Sequence, residues 1–288
     1  MHYENKESTM TDLREIQLCE LSILKEFVRI CDAHGLTYYL SCGTLLGAVR
    51  HKGFIPWDND IDVEMPIEDY RRFLSIAPHA LSENYFLQTY CTDPGYNETW
   101  AKLKKNETTS LPIAWKSWNT HFGIGIDVFP LIGEYHNSAL RWLQSRLFGI
   151  MRTLLAKEFS EAVQKEEIVS RKVRALWAIP RSGRVRLCCV LERFVFRSIN
   201  RADVFVMVDH TMHHKLKREV YSSRVIMDFE DACFNCPCGY DYYLTEMYGD
   251  YMTPPPESER GVGHEIYFGK IIYDCHTSYK TYLLSEIS

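Results

Sequence analysis

Three carboxylates stand within five residues, at Asp58, Asp60 and Asp62, in the run Trp57 to Asp62 (W-D-N-D-I-D). No other feature constrains this chain as strongly. Like charges held that close repel and raise one another's pKa, and a divalent cation is the usual means of neutralising them. The alternation Asp60-Ile61-Asp62 fits a strand, on which residues i and i+2 leave from one face. Asp60 and Asp62 then form half of an octahedral site for an ion such as Mg²⁺, with Asp58 behind them and a phosphate to complete the coordination. A calcium loop is the rival, because the three acids match its first acidic positions. It fails where Val63 replaces the glycine of the sharp turn and Asp69 the bidentate glutamate.

Upstream, Gly43 and Thr44 sit between a β-type run (Thr37–Ser41) and a helical segment closed by Gly53. Such a helix start offers unpaired N–H groups to an anion. Arg50, His51 and Lys52 end the same segment, either to hold a diphosphate or to complement the helix C-terminus. Lys102 and Lys104 alternate as on a strand, and Lys102 is either a further phosphate contact or an exposed surface residue. Asp127, in G-I-G-I-D-V-F, is an acid inside an apolar run, where an unpaired charge is costly. It is either a third metal-binding carboxylate from a neighbouring strand or a cap before Phe129-Pro130.

Residues 12–34 read as an amphipathic helix, with Leu13, Ile16, Cys19, Ile23, Phe27 and Ile30 on one side. Ile61–Glu64, Phe86–Thr89, Gly123–Phe129 and Val225–Phe229 read as strands, and Ile67–Ala77 and 239–248 as helices. From about 138 to 218 the pattern is helical, with Leu140, Leu143, Leu147, Ile150 and Leu154, then Leu187, Leu191, Phe194 and Phe196, as apolar stripes. The expected organisation is an α+β core over 12–135 and 220–288, interrupted by a helical insert over 136–219.

The net charge of −5 conceals an asymmetry. Residues 141–201 carry 14 Lys/Arg against 5 Asp/Glu, a basic stretch in an acidic body that suits an anionic partner. Arg141, Arg146 and Arg152, with Trp142, Leu143, Leu147, Phe148 and Ile150, make a surface compatible with anionic lipid headgroups. No nucleic-acid partner is implied. The opening residues are polar, without a secretory pattern, and no apolar run approaches the ~18–20 residues that span a bilayer. Ten cysteines in such a chain suggest free thiols in a reducing cytoplasm. Cys233, Cys236 and Cys238 lack an adjacent fourth zinc ligand, which Cys275 or His264 would have to supply; zinc is not the reading adopted. His210, His213 and His214 read as a solvated helix end.

The run from Tyr38 to Pro66, Y-Y-L-S-C-G-T-L-L-G-A-V-R-H-K-G-F-I-P-W-D-N-D-I-D-V-E-M-P, resembles the signature of LicD-type phosphotransferases. I-D-V-F-P-L and the block from Gly239 to Pro256 resemble two further motifs of that family. The resemblance implies a nucleotidyltransferase fold of the DNA polymerase β type, related to fukutin, with a small mixed sheet. It implies Mg²⁺ on Asp60 and Asp62, and Asp127 as third catalytic carboxylate. It further implies transfer of phosphocholine from CDP-choline, or another alcohol phosphate from a CDP-alcohol, to a sugar of teichoic acid or lipopolysaccharide. The acceptor would be a lipid-linked precursor met at the cytoplasmic face of the inner membrane. Asn59 departs from the family pattern, where many members carry Asp. Trp57, Trp100, Trp115 and Trp118 are available to face a quaternary ammonium. The competing readings are transfer of the nucleotide itself and a non-catalytic metal- or lipid-binding module.

Overall fold

The computed structural model describes residues 12–163, 170–198, 200, 202–209, 212, 214–260 and 270–284. Helix α1 (Leu13–His34) opens on Asp12, whose side chain accepts from the Arg14 N–H. It is followed by β1 (Tyr39–Leu40), α2 (Cys42–Arg50), β2 (Asp62–Pro66) and α3 (Ile67–Ala80). Next come β3 (Tyr85–Gln88), β4 (Ala101–Lys105), β5 (Thr109–Pro112) and β6 (Gly125–Gly133). Four helices succeed them: α4 (Ser138–Leu155), α5 (Lys157–Val163), α6 (Arg171–Trp177) and α7 (Arg181–Val195). The chain then returns through β7 (Val204–Met207), β8 (Lys215–Lys217), β9 (Arg224–Phe229), β10 (Ala232–Pro237), α8 (Tyr240–Tyr248), β11 (Ile271–Asp274) and α9 (Tyr279–Leu284).

The molecule is mixed α/β around one mixed sheet. Its centre is β6, parallel to β2 on one side. On its other side β6 is antiparallel to β4 over its first half and to β7 over its second. β1 extends the sheet beyond β2, β3 beyond β4, and β8 beyond β7. Two small antiparallel pairs, β9–β10 and β5–β11, stand apart from it. Val63, Met65, Leu103, Ile126 and Val128 are fully buried and belong to the core shared with α1 and α3, which pack on the sheet. The alternate residues of β2, β4 and β6 leave from the opposite face, as the pleat requires.

Two features differ from expectation. The span 136–219 returns two strands to the sheet, and its helices share the main core through Phe148, Met151, Leu154 and Leu155. The buried stripe of α4 is also rotated from the one expected. Gln144, Phe148, Met151, Leu154 and Leu155 face inward, leaving Leu140, Trp142 and Ile150 exposed. Two interleaved apolar stripes fit the helical period here, and Gln144 decides between them. Its amide donates to the Gly133 carbonyl (3.2 Å) and the Val195 carbonyl (2.7 Å), satisfying groups that would be costly to bury unpaired. Helix α7 likewise buries Arg184, Cys188 and Val195, with the Arg184 guanidinium paired to Glu158. Among the described residues no helix is long and apolar enough to cross a membrane.

Candidate active site

Strand register builds the site. Asp62 on β2 stands opposite Asp127 on β6, and Asp127 opposite Lys102 on β4. Three charged side chains therefore leave in one row from one face. Lys102 Nζ lies 2.8 Å from the Asp127 carboxylate, whose other oxygen accepts from Trp100 Nε1 at 2.7 Å. Burial alone would lower the Lys102 pKa, but Asp127 more than compensates and holds it above the ordinary value. Asp58 and Asp60, on the loop entering β2, complete the cluster. Burial and then the neighbouring Asp60 push Asp58 up to about 8, and the two carboxyls share a hydrogen bond. Asp62 is raised well above the carboxylate range by burial, then by Asp60, Asp127 and Asp58.

The turn at Gly43 packs against these acids. A Cβ on Gly43 would stand 2.8 Å from Asp58 Oδ2, so glycine is what lets that carboxylate approach the start of α2, where the helix dipole favours an anion. Thr44 is buried, and its Oγ1 accepts from the Asp62 N–H at 2.9 Å, tying α2 to the first residue of β2. The preceding residue, Cys42, has φ +45°, unusual for a residue carrying a Cβ. The Tyr243 hydroxyl holds it there, accepting from the Cys42 N–H (3.1 Å) and lying 2.8 Å from Ser41 Oγ. Tyr243→Phe is expected to lower unfolding free energy by about 1 kcal/mol, read as a denaturation midpoint shift; an unchanged midpoint would remove this role.

The basic residues after α2 separate. Arg50 donates to the Tyr251 carbonyl at 2.6 Å, and His51 meets the Trp57 ring edge-on. Lys52 is exposed at φ +59°, its carbonyl accepting from the Glu230 N–H. Asn59 donates to the Tyr273 hydroxyl (2.8 Å) on β11. Trp115 and Trp118 pack with Phe122 and Phe159 in a separate aromatic cluster.

The structure adds residues that sequence reasoning passed over. Glu20 on α1 is 4% exposed, and its Oε2 has no hydrogen-bond partner among the described residues. Burial, then Asp60, raises its pKa well above the ordinary value. A signal existed, since Glu20 lies four residues from Ile16 and three from Ile23 on the apolar face. Gln17, also buried, donates to the Asp58 carbonyl at 2.8 Å and steadies the acidic loop. Glu64, two residues beyond Asp62, is raised to about 8 by burial. Arg260 lies over the Trp57 ring at 4.7 Å and within electrostatic reach of Arg50.

The donors around Asp60, Asp62 and Asp127 are all hard oxygens, the kind Mg²⁺ takes. The negative charge gathered there exceeds what Lys102 offsets, so the residues fit a divalent cation. Among the described residues no group of three or more His, Cys, Asp or Glu side chains is arranged to hold a metal ion as it stands. At the cysteine run, Cys233 is exposed, Cys236 buried and Cys238 half-buried, while the Cys275 thiol donates to the Glu15 carbonyl on α1. His210, His213 and His264 lie outside the described residues, and His214 approaches Asp209 at 3.3 Å.

Residues 35–153 match the family model described as LicD/FKTN/FKRP, nucleotidyltransferase domain. The chain belongs to the LicD family. Among similar proteins is the lipopolysaccharide cholinephosphotransferase LicD of Haemophilus influenzae, 31% identical over 268 residues, covering 88% of this chain and 96% of that protein. Human ribitol 5-phosphate transferase FKRP is 44% identical over 55 residues, 18% of this chain and 11% of that protein. Mannosyltransferase regulator 4 of Saccharomyces cerevisiae is 36% identical over 64 residues, 22% of this chain and 5% of that protein.

Proposed function

We propose that this protein is a Mg²⁺-dependent phosphotransferase. It would move phosphocholine, or a related alcohol phosphate, from a CDP-alcohol to a sugar hydroxyl of a cell-surface glycan precursor and release CMP. The observation that carries the reading is the pairing of Asp62 with Asp127 on adjacent parallel strands, beside Asp58 and Asp60. Similarity to a lipopolysaccharide cholinephosphotransferase along nearly its whole length supports the substrate class; a teichoic acid precursor is the other acceptor considered. We read the sheet with α1, α2 and α3 as a nucleotidyltransferase-type core over 12–135 and 220–288, with 136–219 as an elaboration that also supplies β7 and β8.

In this reading Asp60, Asp62 and Asp127 hold the cation, with Asp58 behind them. Bound there, Mg²⁺ would supply charge neutralisation for a diphosphate. Asp127 takes the proton of the acceptor hydroxyl, its carboxylate oriented by Trp100 and Lys102. Arg260, over the Trp57 ring, and Arg50, within its electrostatic reach, are the cationic groups we assign to a nucleotide phosphate. Incubation with a panel of CDP-alcohols, Mg²⁺ and a sugar acceptor tests the reaction. CMP with the alcohol phosphate retained on sugar is the expected product; release of the free alcohol phosphate with CMP left on the sugar would assign nucleotidyl transfer instead.

We further propose peripheral attachment at the cytoplasmic membrane face through α4, where Trp142 is 60% exposed with the Arg146 guanidinium over its ring. Phe148, which the sequence places on that surface, is buried and is not part of it. The protein is expected to sediment with anionic vesicles at low salt, to be released by about 0.5 M salt as charges are screened, and to bind several-fold more weakly as Trp142→Ala. Sedimentation unaffected by vesicle charge would end this proposal.

A further inference from the structure

A cleft of about 700 Å³ lies where β4 ends and β6 is about to begin, and none of the four clustered aspartates lines it. Its wall is aromatic. Phe86 stacks on His121 with ring centres 5.0 Å apart and planes 17° from parallel, and Tyr279 of α9 meets His121 at 4.8 Å. These rings are held rigidly. His121 accepts at Nδ1 from the Gly123 N–H (3.1 Å), so its Nε2 carries the proton and donates to Asn106 Oδ1 (3.0 Å). Buried Asp93 accepts from Gln88, Thr120 and the backbone of Gly95 and His121, fixing the loop that carries the ring. Burial, then Lys104, lowers the His121 pKa to about 4, so the ring is neutral at physiological pH and presents a π face, not a cation.

The polar lining selects the ligand. Asn84 and Asn119 bring exposed amides and Ser278 a hydroxyl. Glu83, Glu107 and Asp93 outnumber Lys280 among the charged groups, so a phosphate or nucleotide would be repelled. What fits is a neutral ligand with polarised C–H groups to lay on aromatic faces and hydroxyls for amides and carboxylates. A pyranose ring has that chemistry.

Strand β4 and Lys104 relate the cleft to the carboxylates. Lys104 leaves β4 on the same face as Lys102, its stem lying where a Cβ on Gly125 would stand (2.4 Å). It is within electrostatic reach of Asp127 on one side and His121 on the other. Asn106, on the cleft wall, is four residues beyond Lys102, about 13 Å along an extended chain.

We propose that this cleft is a subsite for a neutral sugar residue of the acceptor, remote from the hydroxyl that reacts; the assignment deepens the phosphotransfer reading and rests on it. The test uses the full chain and a panel of di- to pentasaccharides of glucose, galactose and N-acetylglucosamine, with binding followed by ligand-observed NMR. At least one oligosaccharide is expected to bind. Its affinity should fall at least tenfold in Phe86→Ala, be kept in Phe86→Tyr, and be unaffected by Asp62→Asn. Asn84→Arg, an exposed change that fills the cleft, should abolish binding while leaving the melting temperature intact, and it guards against Phe86→Ala failing to fold. With an acceptor longer than one sugar, Phe86→Ala should raise KM about tenfold without changing KM for the CDP-alcohol. No binding by any panel member, or binding insensitive to both cleft variants, overturns the subsite. If no CDP-alcohol yields CMP, the phosphotransfer reading falls instead, whatever the sugar titrations show.

Discussion

Asp62→Asn is expected to lower the rate of CMP release from a CDP-alcohol by about 10³-fold or more, the scale on which losing a metal-binding carboxylate acts. Asp127→Asn should cost as much activity, yet the two variants should part in stability. Burial, then Asp60, Asp127 and Asp58, raise the Asp62 pKa, so an uncharged Asn removes the cost of keeping an acid there, and the metal-free variant should melt higher than the parent. Asp127 is the partner of half-buried Lys102, and its removal leaves that ammonium without its counter-charge. Asp127→Asn should therefore lose about 1–3 kcal/mol. Product assay and thermal melt on the same samples separate the two effects. Equal melting shifts of one sign would mean that the acids share no repulsion; retained activity in both would remove the cluster from the reaction.

Without divalent cation, stability is expected to fall as pH rises from 5 to 7. Five acids carry folded-state pKa values above their unfolded ones: Asp58 and Glu64 at about 8, Glu20 and Asp62 raised well above the ordinary range, and Glu192 raised by burial. Between about pH 4 and 8 the folded chain holds protons that the unfolded chain has released, so their stabilising contribution is complete below the unfolded pKa values and is lost with rising pH. His121, lowered to about 4, and His51, lowered by burial and then Arg50, act oppositely below about 6.5, but two imidazoles oppose five carboxyls. Lys104, lowered to about 7, counteracts the trend only above that pH. Each group is worth at most about 1.4 kcal/mol per pH unit. Urea midpoints in EDTA should decline through this window, Mg²⁺ should flatten the decline, and Glu64→Gln should remove part of it. A level profile in EDTA would contradict the charge arrangement described above.

The local features of the site were legible because their signals are local. Asp60 and Asp62 announce themselves by spacing, and Asp127 by being an acid in an apolar strand. Their register was not legible, since the β2–β6 pairing joins residues 65 positions apart and no local pattern specifies it. The same limit hid β7, three of whose four residues pair with the far half of β6, and β11, which pairs with β5 from about 160 positions further along. From its spacing Lys102 is either a phosphate contact or a surface residue; in the structure its ammonium pairs with Asp127, a partner only the antiparallel register reveals. On α4 the helical period itself was ambiguous, and a long-range bond of Gln144 to Gly133 settled which stripe faces inward. Glu20 shows the reverse case, a charged residue on an apolar stripe, where the apolar neighbours drew the eye and the exception among them carried the information.

The hydroxyl that clasps Ser41 and Cys42 belongs to a residue synthesised 202 positions later. On a ribosome adding about 5–20 residues per second, some 10–40 s separate the two. Throughout that interval the nascent chain bears its acidic loop without the clasp, which closes only once Tyr243 has been made. A release of the polypeptide short of Tyr243 would leave a protein with every aspartate in place and the turn beside them unfastened.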